Sequence, residues 1–174
     1  MRWIRPHHVA GSVHDVDYDS LVQQGVRAIL YDLENTLCRW RVWEIDPPTW
    51  ALLDRLAQQH LGLSVLTNAF IPPDHLLAQG LRERGIVLVS SARKPLQRGF
   101  RVALDRLGVH PHQATMVGDQ LLTDILGGRR AGLITVLVDP LGSEESLLTK
   151  LNRRLERLLG RPISAGTAPQ TGRV

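Results

Sequence analysis

Lysine, cysteine and long apolar runs are scarce in this chain, and each scarcity excludes something. Only two of the 21 basic residues are lysine, Lys94 and Lys150; the rest are arginine. A single cysteine, Cys38, excludes an intramolecular disulfide, and without a CxxC pair there is no zinc-finger pattern. No run approaches the roughly 18 apolar residues of a membrane-spanning helix. The opening Met1-Arg2-Trp3-Ile4-Arg5-Pro6-His7-His8 lacks the apolar core of a secretory signal, so a cytoplasmic protein is expected. A general excess of positive charge is missing too. The net charge of +4 equals that of residues 147–161 alone, where Lys150, Arg153, Arg154, Arg157 and Arg161 meet only Glu156. The remainder is near neutral, which speaks against a surface coated for nucleic acid.

What is present is ordinary globular material. With 43% hydrophobic and 22% charged residues, the 174-residue chain has enough apolar side chains for a core and is not a disordered polymer. One domain is expected over residues 1–161, with a Gly-, Pro-, Ser- and Thr-rich tail over 162–174 expected to be disordered.

Short apolar runs alternate with helical patterns. Val26-Arg27-Ala28-Ile29-Leu30-Tyr31 reads as a buried strand, and residues 63–67, 86–89, 114–117 and 133–138 repeat that signal. Between them, Pro47-Pro48 and Pro72-Pro73 open helical patterns stopped near Gly62 and Gly85. Further helices are expected over 95–107, closed by Gly108, over 121–131, closed by Gly132, and over about 144–160. Residues 1–25 are mixed and polar. The alternation predicts an α/β domain around a doubly wound, parallel, five-stranded sheet.

In such sheets chemistry gathers at the carboxyl ends of the strands, near the reversal of strand order. Polar residues stand at those ends. The first strand runs into Asp32-Leu33-Glu34-Asn35-Thr36 and the second into Thr67-Asn68. Lys94 follows the third, and Asp119 and Asp124 follow the fourth. Clustered carboxylates repel unless a cation separates them, and oxygen ligands suit Mg²⁺. A lysine and a hydroxyl beside them suit the equatorial oxygens of a phosphoryl group. Taken singly, each has a plain structural reading: a helix cap, strand filler, a solvated charge. Their joint placement on successive strand ends points to magnesium-assisted phosphoryl transfer.

These residues resemble the four ordered motifs of the haloacid dehalogenase (HAD) superfamily: Asp32-x-Glu34-x-Thr36, Thr67, Lys94 and Gly118-Asp119-x-x-x-x-Asp124. Ala92-Arg93-Lys94-Pro95-Leu96 and Val117-Gly118-Asp119-Gln120-Leu121-Leu122 are similar to the subclass IIIA phosphatases of the YqeG type, related to phosphatidylglycerophosphate phosphatases. The resemblance implies a HAD-like Rossmannoid fold, Mg²⁺ as cofactor, and Asp32 as a nucleophile that forms an aspartyl-phosphate. It further implies Mg²⁺ ligation by Asp32, the backbone carbonyl of Glu34, and Asp119, with Asp124 helping. Thr67 and Lys94 would receive the phosphate. One position departs from the family pattern, which has aspartate where this chain has Glu34, the implied general acid and base. The extra methylene moves the carboxyl by about 1.5 Å.

The gaps from Thr36 to Thr67 and from Thr67 to Lys94 are too short for an inserted cap domain. A capless, open site suits a phosphomonoester on a large or surface-bound molecule, and the resemblance implies phosphatidylglycerophosphate as the expected substrate. Leucines 147, 148, 151, 155, 158 and 159 share a stripe beside the basic residues, a pattern that suits peripheral contact with an anionic membrane. Arg2 and Trp3, with Trp40 and Trp43, could add anchors or equally serve as core. The rival readings are a phosphatase of a nucleic-acid end or a protein, and a degenerate, non-catalytic binding protein. A signalling receiver domain fails, because the third strand ends Val89-Ser90-Ser91 with no aspartate.

Overall fold

The computed structural model describes residues 4–142. The basic, leucine-rich segment of residues 144–160, the expected tail, and Arg2 and Trp3 lie outside the described residues.

Among the described residues, six strands form one parallel sheet: β1 (His8–Ala10), β2 (Ala28–Tyr31), β3 (Gly62–Leu66), β4 (Val87–Val89), β5 (Ala114–Gly118) and β6 (Ile134–Val138), in the order β1-β6-β5-β2-β3-β4. The helices are α1 (Tyr18–Gln23), α2 (Pro47–Gln58), α3 (Leu76–Glu83), α4 (Gln97–Leu107) and α5 (Leu126–Arg130). The central strands are buried along their whole length because helices cover both faces, which is why they read as unbroken apolar runs. On one face Ile29, Tyr31, Val65 and Val117 pack with Leu53, Leu56 and Leu81 of α2 and α3. On the other, Leu30, Leu66 and Met116 pack with Phe100, Ala103 and Leu104 of α4. No helix among the described residues is long and apolar enough to cross a membrane.

The expected sheet of five strands is corrected to six. β1 adds to the β6 edge through three residues, of which only Ala10 is buried, so no periodic signal exists to read. It is anchored beside His7, whose backbone N–H donates to the Thr135 carbonyl at 3.0 Å. Residues 1–25 also contain α1, where Asp17 accepts from the Ser20 N–H at the N-cap.

Helix starts shift as well. Pro72-Pro73 and Pro95 lie just before α3 and α4 rather than opening them. The helix expected over 121–131 divides into a widened π-type turn, Leu121–Ile125, followed by α5. α4 ends where expected, at Gly108, whose φ of +65° is the left-handed conformation that closes a helix.

The strand order reverses between β2 and β5. These neighbours run in register, Tyr31 opposite Val117, so Asp32 and Gly118-Asp119 leave the sheet side by side. The backbone N–H of Asp32 continues the ladder by donating to the Val117 carbonyl at 2.9 Å.

Candidate active site

Asp32, Asp119 and Asp124 are buried, and one carboxylate oxygen of each lies within 4.8 Å of the other two. Their positions follow from local structure. Asp32 and Asp119 stand at the ends of adjacent central strands. The π-type turn swings Asp124 back against Gly118, where its Oδ2 accepts from the Gln120 N–H at 3.1 Å. Gly118 is required by contact: a Cβ there would lie 2.4 Å from Asp124 Oδ2.

Lys94 closes the group. Its Nζ lies 2.6 Å from Asp32 Oδ1 and 2.7 Å from Asp124 Oδ1, with the side chain almost wholly buried. The lysine loop is held by Asn68, whose Oδ1 accepts from the Lys94 N–H at 2.6 Å while its Nδ2 donates to the Lys94 carbonyl at 3.1 Å. Asn68 was not among the expected site residues. Its only sequence signal is its place directly after Thr67.

The electrostatics are those of an acidic well. Burial pushes the Asp32 carboxyl up to about 7, against the pull of the Lys94 ammonium and with help from the Asp124 charge. Burial alone would lower the Lys94 ammonium, but Asp124 and Asp32 on either side outweigh it and push it up to about 12. Three carboxylates against one ammonium leave an excess of negative charge in a buried place. An all-oxygen donor set with that excess fits a hard divalent cation.

Thr67 is buried at the end of β3, and its Oγ1 accepts from the Ala69 N–H at 3.1 Å, which leaves its own O–H to donate. Glu34 stands apart. Its carboxylate is outside the acidic cluster and engages the loop that follows, where Oε1 accepts from the Arg41 N–H at 3.0 Å and the Trp43 indole N–H at 3.2 Å. Trp43 also meets His75 edge-to-face at 5.5 Å between ring centres, which ties this loop to the start of α3. Trp43 thus belongs to the site, and a contact between residues nine apart in an irregular loop leaves no periodic trace in the sequence.

Above the well opens a cavity of about 1120 Å³. Asp32, Glu34 and Lys94 line it together with apolar groups that include Trp40, Phe70 and Leu122. Phe70 is 66% exposed, a large value for a residue of its kind.

Comparison with known proteins agrees with this geometry. The HAD-hydrolase-like family model matches residues 91–154. "Probable phosphatase YqeG" of Bacillus subtilis (strain 168) is 28% identical over 156 residues, covering 90% of this chain and 89% of that protein. "Phosphatidylglycerophosphate phosphatase 1, chloroplastic/mitochondrial" of Arabidopsis thaliana is 30% identical over 177 residues, covering 97% of this chain and 51% of that one. By these matches the chain is similar to HAD-type phosphatases. It spans about half the length of the plant relative. The chain also shares its fold with the cobalt-bound deoxy-D-mannose-octulosonate 8-phosphate phosphatase of Haemophilus influenzae. That likeness has a TM-score of 0.53 at 13% identity and covers 68% of this chain and 70% of that one.

The fold therefore brings Asp32, Lys94, Asp119 and Asp124 into one cluster, with Thr67 at the neighbouring strand end and Glu34 on the cavity wall.

Proposed function

We propose that this protein hydrolyses phosphomonoesters of amphiphilic, lipid-like alcohols through an aspartyl-phosphate, with phosphatidylglycerophosphate the leading substrate. The observation that carries the reading is the buried cluster of three carboxylates and one lysine at the floor of a cavity with apolar walls.

Asp32 is the nucleophile. A carboxylate oxygen attacks phosphorus, the bond from phosphorus to the alcohol oxygen breaks, and the phosphoryl group passes to Asp32. Water then cleaves the acyl phosphate and restores the carboxylate. Lys94, charged at any physiological pH, compensates the phosphoryl oxygens, and the Thr67 hydroxyl donates to one of them. Glu34 delivers a proton to the departing alkoxide and later takes one from the attacking water. Asp32 and Asp119, with Asp124 and the backbone carbonyl of Glu34, would hold Mg²⁺. Bound there, the ion would supply charge neutralisation for the carboxylates and the phosphate.

The lipid preference draws support from two directions. Trp40, Phe70 and Leu122 give the cavity an apolar wall that a sugar phosphate would not need. The two relatives named above include a phosphatidylglycerophosphate phosphatase. The intervals between motifs, with room for little more than a helix and its loops, favour a capless site open to a substrate held in a membrane surface. Peripheral contact through the basic residues 150–161 and a cytoplasmic location belong to the same proposal.

The test is a substrate panel. Purified protein with Mg²⁺ should show its highest kcat/KM on phosphatidylglycerophosphate in mixed micelles, and EDTA should abolish turnover. A preference for a phosphopeptide, a nucleic-acid end or a sugar phosphate would overturn the lipid assignment. Absence of turnover on every class would overturn the enzyme reading.

A further inference from the structure

Glu34 is anchored by one oxygen and free at the other. Oε1 takes two donors, the Arg41 backbone N–H at 3.0 Å and the Trp43 indole N–H at 3.2 Å. No partner for Oε2 is present among the described residues, and Glu34 lines the cavity above Asp32 and Lys94. The loop that supplies the donors is built for it. Asn35, Arg41 and Trp43 all have positive φ, at +63°, +59° and +48°, conformations that non-glycine residues hold only under tertiary constraint. The Asn35 N–H donates to the Cys38 carbonyl at 2.6 Å, and the Cys38 thiol donates to the Leu33 carbonyl at 3.6 Å. The indole is braced on its far side by His75, whose Nδ1 is itself fixed as acceptor for the Leu77 N–H at 3.1 Å.

We infer that Trp43 is a positioning residue for the proton-transfer step: its indole N–H, with the Arg41 N–H, holds one oxygen of Glu34 so that the other faces the leaving group. The inference rests on the acid-base role proposed for Glu34 and adds the residue that aims it. It also accounts for the glutamate. A carboxylate one methylene shorter would withdraw by about 1.5 Å and could not reach donors already at full hydrogen-bond length. Glutamate at this position and tryptophan nine residues on are therefore one device. It is a hydrogen-bond orientation of the kind that fixes a catalytic group to within a fraction of an ångström.

The step itself is simple. The Glu34 Oε2–H proton moves to the alcohol oxygen as its bond to phosphorus breaks, and the carboxylate left behind takes a proton from the water that attacks the acyl phosphate. A leaving group that departs readily as an anion needs no such proton. Cleavage of the acyl phosphate is common to all substrates, whereas kcat/KM reports only the steps up to release of the alcohol, so kcat/KM on substrates with alkyl and p-nitrophenyl leaving groups separates a proton-transfer role from a structural one.

The experiment compares Trp43→Phe, Glu34→Gln, Glu34→Asp and the double variant Glu34→Gln/Trp43→Phe on an alkyl phosphomonoester and on p-nitrophenyl phosphate, with Mg²⁺ present throughout. Phenylalanine keeps a ring against His75 and removes only the donor. Trp43→Phe should lower kcat/KM on the alkyl substrate about ten- to a hundredfold, the worth of one charge-assisted hydrogen bond. On p-nitrophenyl phosphate it should stay within about twofold of wild type. Glu34→Gln should show the same selectivity with a larger loss, Glu34→Asp should resemble Trp43→Phe, and the double variant should be no slower than Glu34→Gln.

Equal losses of kcat/KM on both substrates, or a Trp43→Phe loss that adds in full to that of Glu34→Gln, would overturn the inference and leave Trp43 with packing alone. So would a Glu34→Asp enzyme as fast as wild type on the alkyl substrate, a test that stands even should Trp43→Phe fail to fold. A Glu34→Gln enzyme unimpaired on both substrates would instead remove the acid-base role, and the inference with it.

Discussion

Replacing Gly118 with alanine puts a methyl group where the Asp124 carboxyl already sits. The added Cβ would lie 2.4 Å from Oδ2, 2.5 Å from Cγ and 2.7 Å from Cβ of Asp124. Backbone strain plays no part, since Gly118 is not among the glycines with positive φ. Nor can the clash be relieved cheaply, because Asp124 is pinned at both oxygens, by Lys94 Nζ at 2.7 Å and by the Gln120 N–H at 3.1 Å. Two responses compete. If the strands part, overpacking costs about 1–3 kcal/mol. If Asp124 turns away, Lys94 loses one of its two carboxylates, and breaking a buried ion pair costs about 3–5 kcal/mol. The two are alternatives and do not add. The double pinning makes both necessary in part, so about 3 kcal/mol is expected, or roughly 6–12 °C in Tm for a domain of this size. Thermal and urea unfolding measure the loss, and a Mg²⁺ titration of the melting point reads the displaced ligand. A Gly118→Ala protein that melts within about 2 °C of wild type with unchanged Mg²⁺ dependence would refute the steric reasoning.

Asp32→Asn should abolish turnover, and a variant retaining more than about a tenth of the wild-type rate would exclude Asp32 as nucleophile. Because burial holds the metal-free Asp32 carboxyl up to about 7, the folded protein keeps a proton that the unfolded chain has lost between pH 4 and 7. Stability from this group is therefore highest at low pH, declines as pH rises through that window, and levels off above it. Mg²⁺ must displace the same proton, so its stabilising effect in differential scanning calorimetry should be larger at about pH 8 than at about pH 6; equal effects would contradict the raised value. In the core, Tyr31 donates to the Tyr18 hydroxyl and Tyr18 to the Val13 carbonyl, each at 2.8 Å. Tyr18→Phe strands a donor and an acceptor and should cost about 1–3 kcal/mol by urea unfolding, whereas Tyr31→Phe strands neither and should cost about 1 kcal/mol.

The sheet was legible where burial is complete. Ala28–Tyr31 is enclosed on both faces, so its composition reports its environment directly. Gly85, Gly108 and Gly132 have positive φ and mark ends that the sequence announces. β1 was invisible, because a three-residue edge strand with one buried side chain carries no period. The π-type turn at Leu121–Ile125 was invisible for a different reason: its apolar residues suit a regular helix equally well, and only the contact of Asp124 with Gly118 shows the widened turn. At the site, Asp32, Lys94, Asp119 and Asp124 were readable because they follow strand ends, a position that topology converts into proximity. Asn68 and Trp43 act through hydrogen bonds that only the folded chain defines.

The adjacency of β2 and β5 bears on which ion the site could accept. Asp32 and Asp119 are carried by backbone that is hydrogen-bonded across the sheet, and neighbouring strands are held about 4.8 Å apart. A frame of that kind does not breathe. Calcium needs roughly six to eight oxygens at about 2.3–2.6 Å, and it gains them in flexible loops that can spread around it, whereas magnesium accepts a small rigid set and keeps its waters. Discrimination against the larger ion would then come from the stiffness of the sheet rather than from the chemistry of the carboxylates, which both ions like equally well.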